Sequence, residues 1–139
     1  MLPRTWPKTI ALLGLVAFFV FAGVSHFTNP EFFVAIVPAW MPGSALGVVY
    51  LSGVAEILGG LGALLPATRR LAGLWLIALL VAVYPANVAM ALDPERWVAA
   101  GTPLWALFAR LPFQFLFIVW AWWATRPDAS VEEGAPWRG

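Results

Sequence analysis

The residue in this sequence best suited to chemistry is a carboxylate where water is scarce. Glu56 stands within Ser52-Gly53-Val54-Ala55-Glu56-Ile57-Leu58-Gly59-Gly60, and no other charge occurs between Glu31 and Arg69. His26, Asn87, Arg110 and Gln114 occupy similarly apolar surroundings. A carboxyl group, a guanidinium, an imidazole and two amides can together hold a polar ligand or pass a proton to one. Arg110 and Gln114 are four apart and share a helix face. Pro112 between them removes the backbone hydrogen bond to the Phe108 carbonyl. Ser52, Glu56 and Gly60 share a face in the same way. Ala55, Gly59 and Ala63 form a small-residue stripe beside it, which lets a neighbouring helix approach closely.

The medium around these groups follows from composition. Of 139 residues, 62% are hydrophobic and 11% charged, with a mean hydropathy of +0.84. Soluble domains carry about 25% charged residues, so too little charge is present to clothe a water-facing surface, and a membrane protein is predicted. The net charge of +1 gives no basic face for nucleic acid. The absence of cysteine excludes disulfides, thiol relays, cysteine-ligated zinc and iron–sulfur clusters. A single histidine argues against a multi-histidine metal site, so no metal ligands are assigned.

Crossing a bilayer takes about 20 mostly apolar residues. Four segments qualify: roughly 9–25, 46–65, 71–92 and 104–125. Pro66-Ala67-Thr68-Arg69-Arg70 is a short link that makes the second and third spans antiparallel neighbours. Arg4, Lys8, Arg69, Arg70 and Arg126 fall on one side, opposite Arg96, Glu31, Asp93 and Glu95. Cytoplasmic loops carry the Lys/Arg excess, so the expectation is a multi-pass protein of the plasma (inner) membrane with both termini cytoplasmic. A competing reading takes Arg4, Lys8 and the apolar run 10–22 as a secretory signal peptide; no clear small-x-small cleavage site ends it, and its loss would leave three spans.

Between the first two spans, residues 30–37 predict a short helix capped by Asn29 or Thr28, with Pro30 at its first position and Pro38 after its end. It is too short to span and belongs in the outer interface, with Trp40 at headgroup level. The Pro/Gly-rich, polar segment 127–139 reads as a disordered cytoplasmic tail. The predicted fold is all-α: a transmembrane four-helix bundle over residues 1–126, with a short interfacial helix between spans one and two.

Depth follows at about 1.5 Å per residue. Glu56 and Gln114 fall near the midplane, Arg110 roughly 9 Å from its helix end, and Asn87 and His26 near the outer ends. All five lie in the outer half, which predicts a polar pocket opening outward with the interfacial helix as its rim. Trp40, Tyr84 and Phe113 are the candidate walls. A charge at the bilayer centre costs about 2.5–3.5 kcal/mol, and Arg110, about one turn away in height, is the expected partner of Glu56. Blander readings stand beside each: a structural Glu56–Arg110 pair that sets helix register, an Arg110 that snorkels to the interface, and an ordinary interfacial His26.

Gly23-Val24-Ser25-His26-Phe27, Pro30, Ile36-Val37-Pro38, Ser52-Gly53 with Glu56 and Gly59-Gly60, Pro66 to Gly73, Tyr84-Pro85-Ala86-Asn87 and Arg110-Leu111-Pro112-Phe113-Gln114 together resemble the DoxX-like family of small membrane proteins. The resemblance covers roughly residues 10–125. It implies a four-helix membrane bundle. The family takes its name from a group that includes the membrane part of an archaeal thiosulfate:quinone oxidoreductase, and distant relatives include an animal receptor chaperone. The positions matching its pattern are His26, Pro30, Glu56, Gly59, Arg69, Asn87, Arg110 and Gln114. The absence of cysteine departs from members proposed to act through thiols.

Two classes of function follow. In the first, the chain is a quinone-interacting membrane subunit of an oxidoreductase: a titratable Glu56 supplies or accepts protons while Arg110, Gln114 or His26 hydrogen-bonds the ring oxygen. The sequence holds no electron donor, so a partner subunit must provide one. In the second, it is a non-enzymatic assembly factor or chaperone for membrane proteins, or a binder of small lipophilic molecules. Its environment is the lipid bilayer, and homo-oligomers are left open.

Overall fold

The computed structural model describes residues 2–128. Among these the chain is entirely helical, with no strand. In chain order the helices are α1 (Trp6–Thr28), α2 (Pro30–Ile36), α3 (Ala45–Leu64), α4 (Arg69–Leu92), α5 (Pro94–Ala99) and α6 (Leu104–Thr125). α1, α3, α4 and α6 are each long and apolar enough to cross a membrane, which makes this a multi-pass membrane protein. Each long helix extends over its predicted span, and α2 occupies the predicted interfacial segment. The disordered tail expected at 127–139 lies outside the described residues from 129 onward.

α1 packs on α3 and α6, and α4 packs on the same two from the opposite side. The result is a closed four-helix ring. One end of the bundle carries α2 and α5; the other carries the start of α1, the α3–α4 link and the exit of α6. The core lies toward this terminal end, where Leu15, Phe19, Leu76, Leu80, Ala121 and Ala124 are buried together. Beside them Leu12, Val16, Ala63 and Ala72 form a second cluster. α1 therefore supplies core residues as the other spans do. Large apolar side chains such as Leu58, Leu71, Val81 and Val119 point outward, as a surface solvated by lipid tails requires.

The α1–α3 contact is backbone on backbone. A methyl group at Gly53 would stand 2.8 Å from the Gly23 carbonyl oxygen, and one at Gly23 would stand 2.6 Å from the Gly53 oxygen. Only glycine at both positions permits this approach.

Polar groups at the terminal end have dedicated partners. Arg69 Nε donates to the Ala63 carbonyl at 2.9 Å and Nη2 to the Leu64 carbonyl at 3.1 Å, which serves the orphan acceptors at the end of α3. Trp120 Nε1 donates to the Ala11 carbonyl at 3.0 Å. The buried Lys8 ammonium donates to the Pro127 carbonyl at 3.0 Å and pairs with Asp128 at 3.3 Å. Asp128 also accepts from the Arg4 backbone N–H at 2.9 Å. This hydrogen bond, with the Lys8 and Arg4 charges, holds the Asp128 carboxyl below the usual carboxylate range. The beginning of α1 is thus stapled to the chain leaving α6, and residues 127 and 128, expected in the tail, are held in place.

The sequence reading missed α5. Its start, Asp93-Pro94, repeats the Asn29-Pro30 start of α2. Its anchor is the buried Trp97, which packs with Met90, Leu107 and Ile36 and so ties α2, α4, α5 and α6 together at one end.

Candidate functional site

Where the terminal half closes on its core, the α2–α5 half holds a cavity of about 290 Å³. Its lining includes His26 from α1, Phe32 and Phe33 from α2, Ser52 and Glu56 from α3, Asn87 from α4 and Arg110 from α6. Val48, Val49, Leu79 and Val83 supply apolar wall, and Trp40 and Met41 stand at the loop level. All four long helices therefore contribute. A second cavity of about 290 Å³ lies beyond α2, lined by Ala89, Met90, Asp93, Arg96 and Trp97. The two share Ile36, Val37, Pro38 and Ala86, so α2 and the residues after it form the partition.

Which polar groups meet is decided by helix direction. In a helix each Cβ leans toward the N-terminus. Side chains on α3 and α6 therefore lean toward the α2 end, and those on α1 and α4 lean away from it. His26 on α1 and Glu56 on α3 converge, with Nδ1 and Oε2 3.4 Å apart. Asn87 on α4 and Gln114 on α6 converge likewise, Asn87 Nδ2 donating to Gln114 Oε1 at 3.0 Å. Gln114 Nε2 then donates to the Leu80 carbonyl. That carbonyl adjoins the Val81 carbonyl, which Pro85 leaves without its helical donor.

The expected Glu56–Arg110 pair is not formed; no Glu56–Arg110 contact lies within 4 Å. Arg110 leans away from Glu56, and its Nη1 reaches Met90 Sδ at 3.5 Å while the guanidinium lies over the Phe32 ring at 5.8 Å. The helices also meet at a register that helix ends alone do not reveal. With Gly59 against Leu76, Asn87 on Gln114 and Arg110 on Met90, Arg110 stands nearer the α2 end than Glu56. His26, placed near the outer end by counting along α1, is level with Gly53 because α1 stops short of the start of α3.

Glu56 is left with an unmet need. Its Oε2 is buried and has no hydrogen-bond partner. The contact with His26 does not supply one: Nδ1 carries a single hydrogen, which goes to the Ala22 carbonyl at 2.9 Å. That hydrogen bond fixes the imidazole with Nδ1 as donor, and the ring stacks on Phe33 at 3.9 Å. Ser52, one turn from Glu56, lines the same space.

The remaining sequence candidates divide. Gln114 is buried and acts behind the cavity by holding Asn87. Tyr84 and Phe113 do not line the cavity. Tyr84 packs edge-on to Phe115, and Phe113 is half-exposed on the outer surface near Phe117. The walls are instead Phe32 and Phe33, which sequence reasoning passed over although two aromatics inside the proposed rim helix were a usable signal. Met90, the neighbour of Arg110, carried no such signal. Among the described residues no group of three or more acidic, histidine or cysteine side chains could hold a metal.

No curated protein and no solved structure matches this chain. Residues 15–125, from the third turn of α1 to the end of α6, match a family model, and the chain belongs to the family described as Domain of unknown function (DUF8561).

Proposed function

We propose that this protein binds the head ring of a quinone or a similar small lipophilic ring molecule, as the quinone-interacting membrane subunit of an oxidoreductase complex. The observation that carries this reading is the buried Glu56 Oε2 without a partner, set beside His26 in a cavity walled by Phe32, Phe33, Ile36 and Val49. Buried polar atoms are nearly always satisfied, so an orphan on a side chain that lines a cavity marks the place of a missing partner. Ligand pockets run from about 300 to 1,000 Å³; a cavity at the lower limit suits one ring and leaves any tail outside.

The residues fit such a group. Glu56 holds or releases a proton at Oε2. His26, with Nδ1 committed to Ala22, offers Nε2 to a ring hydroxyl. Ser52 supplies a hydroxyl that donates or accepts. Phe33 covers the imidazole and keeps water from it. A bound quinone would supply two-electron, two-proton chemistry, with electrons delivered by a partner subunit. The resemblance to the DoxX-like family supports this reading. The Lys/Arg excess at the terminal end supports a plasma-membrane protein with both termini cytoplasmic, in which the cavity would belong to the outer half.

The test is a titration of the detergent-purified chain with a soluble quinone analogue, followed by tryptophan fluorescence, since Trp40 lines the cavity. Saturable quenching that Glu56→Gln weakens tenfold or more is the expected result. A folded wild-type protein that shows no saturable quenching overturns the ring-binding reading.

A further inference from the structure

Glu56 is one of two unmet groups in the same cavity. Arg110 presents a guanidinium with donors in a planar fork, yet its contacts are a thioether sulfur at 3.5 Å and a ring face at 5.8 Å. A thioether is a weak acceptor. Carboxylates are present at the same end of the bundle, in Glu31, Asp93 and Glu95, but none lies within 4 Å of Arg110. A snorkelling arginine would extend its charge to water; this one is half-buried under α2 with Phe32 across its face. Glu56 and Arg110 make no contact within 4 Å and have separate neighbours, His26 for the one and Met90 with Phe32 for the other. The rest of the cavity wall is mostly apolar, with Phe33, Ile36, Val49 and Val83 beside the polar Ser52 and Asn87.

We propose that Arg110 is an oxyanion site at the mouth of the cavity, separate from the ring site at Glu56. The group it takes is a carboxylate or phosphate, the planar or tetrahedral oxyanions that the guanidinium fork binds in two-pronged fashion. The ligand is then two-ended: a ring with a hydroxyl or carbonyl at Glu56 and His26, an apolar middle, and an anionic group at Arg110. The oxyanion has two sources with the same chemistry, an acidic substituent on the ring ligand itself or the phosphate of a membrane lipid at the mouth. The proposal rests on ring binding at Glu56.

The experiment compares a short-chain alkylbenzoquinone with the same ring bearing a terminal carboxylate on chains of increasing length. Binding is followed by tryptophan fluorescence in a maltoside detergent, which carries no phosphate, for wild type and Arg110→Gln. Wild type should bind one length of the acid at least about tenfold more tightly than the neutral ring, the worth of one charge-assisted hydrogen bond. Arg110→Gln should erase that preference while still binding the neutral ring, which also shows that the variant is folded. If Arg110→Gln does not fold, Arg110→Lys, which keeps the charge and loses the fork, should lower the preference and retain the neutral ring. An acid preference that disappears in nanodiscs of phosphatidylcholine, neutral overall but with a phosphate in every headgroup, assigns the oxyanion to lipid phosphate; one that persists there assigns it to the ligand. Equal binding of acid and neutral ring by wild type overturns the oxyanion site and leaves ring binding standing. Binding of neither overturns both.

Discussion

The two ends of the bundle treat polar groups in opposite ways. At the terminal end Arg69 caps α3, Trp120 reaches the Ala11 carbonyl, Thr125 Oγ1 returns to the Ala121 carbonyl and Lys8 is paired with Asp128. Each of these donors has an acceptor from the chain itself. At the α2 end Glu56 Oε2 has none, and Arg110 has only sulfur and a ring face. An unsatisfied buried group costs about 1–3 kcal/mol, so the fold places its stability in one half and tolerates instability in the other. The contrast separates polar residues that build the bundle from those that wait for something.

The comparison is broken most severely where the halves join. Gly53→Val should cost about 3 kcal/mol, because its side chain meets the Gly23 carbonyl rather than a movable side chain; thermal unfolding in detergent should show a loss that retuning the ligand cannot restore. Gln114→Leu comes next, at about 2 kcal/mol, since it strips Asn87 of its partner. The same unfolding assay reads it, and ring binding should survive in the remaining folded protein.

Glu56→Gln sharpens the contrast in the other direction. A carboxylate paired with Arg110 would cost about 3–5 kcal/mol to remove. With no such pair, the variant should unfold no more easily than wild type, and should gain up to about 1 kcal/mol, while quinone binding falls. A large loss of stability would return Glu56 to the class of structural groups.

The smallest effect is the acid sensitivity of the staple. Asp128 is held below its ordinary value by the Arg4 N–H and the nearby Lys8 and Arg4 charges, so the folded state binds its proton less readily than the unfolded one. Its contribution is complete above the usual carboxylate range and is lost as pH falls through the lowered value. Asp128→Asn should flatten the acid limb of a Tm-against-pH profile and leave ring binding unchanged.

Spans, ends and the short helix α2 were legible because apolar run length and an Asn-Pro start are local signals. The equivalent Asp93-Pro94 start of α5 passed unnoticed among the charges Asp93, Glu95 and Arg96, and only Trp97, buried against Met90 and Leu107, explains why it is a helix. The membership of His26, Glu56, Asn87 and Arg110 in one cavity was legible from their falling in the same half of the spans. Their pairing was not. Counting from helix ends assumes that the ends are flush, and α1 ends short; the lean of each side chain then sends Arg110 away from Glu56. Tyr84 and Phe113, close in sequence to Asn87 and Gln114, turn elsewhere: Tyr84 packs on Phe115 and Phe113 is half-exposed on the outer surface.

The two rings of α2 carry a last consequence. Phe33 lies on the imidazole and Phe32 beneath the guanidinium, so α2 closes a face of each group and leaves their in-plane atoms to a ligand. A stacked approach is blocked there, and selectivity belongs to molecules whose oxygens arrive edge-on.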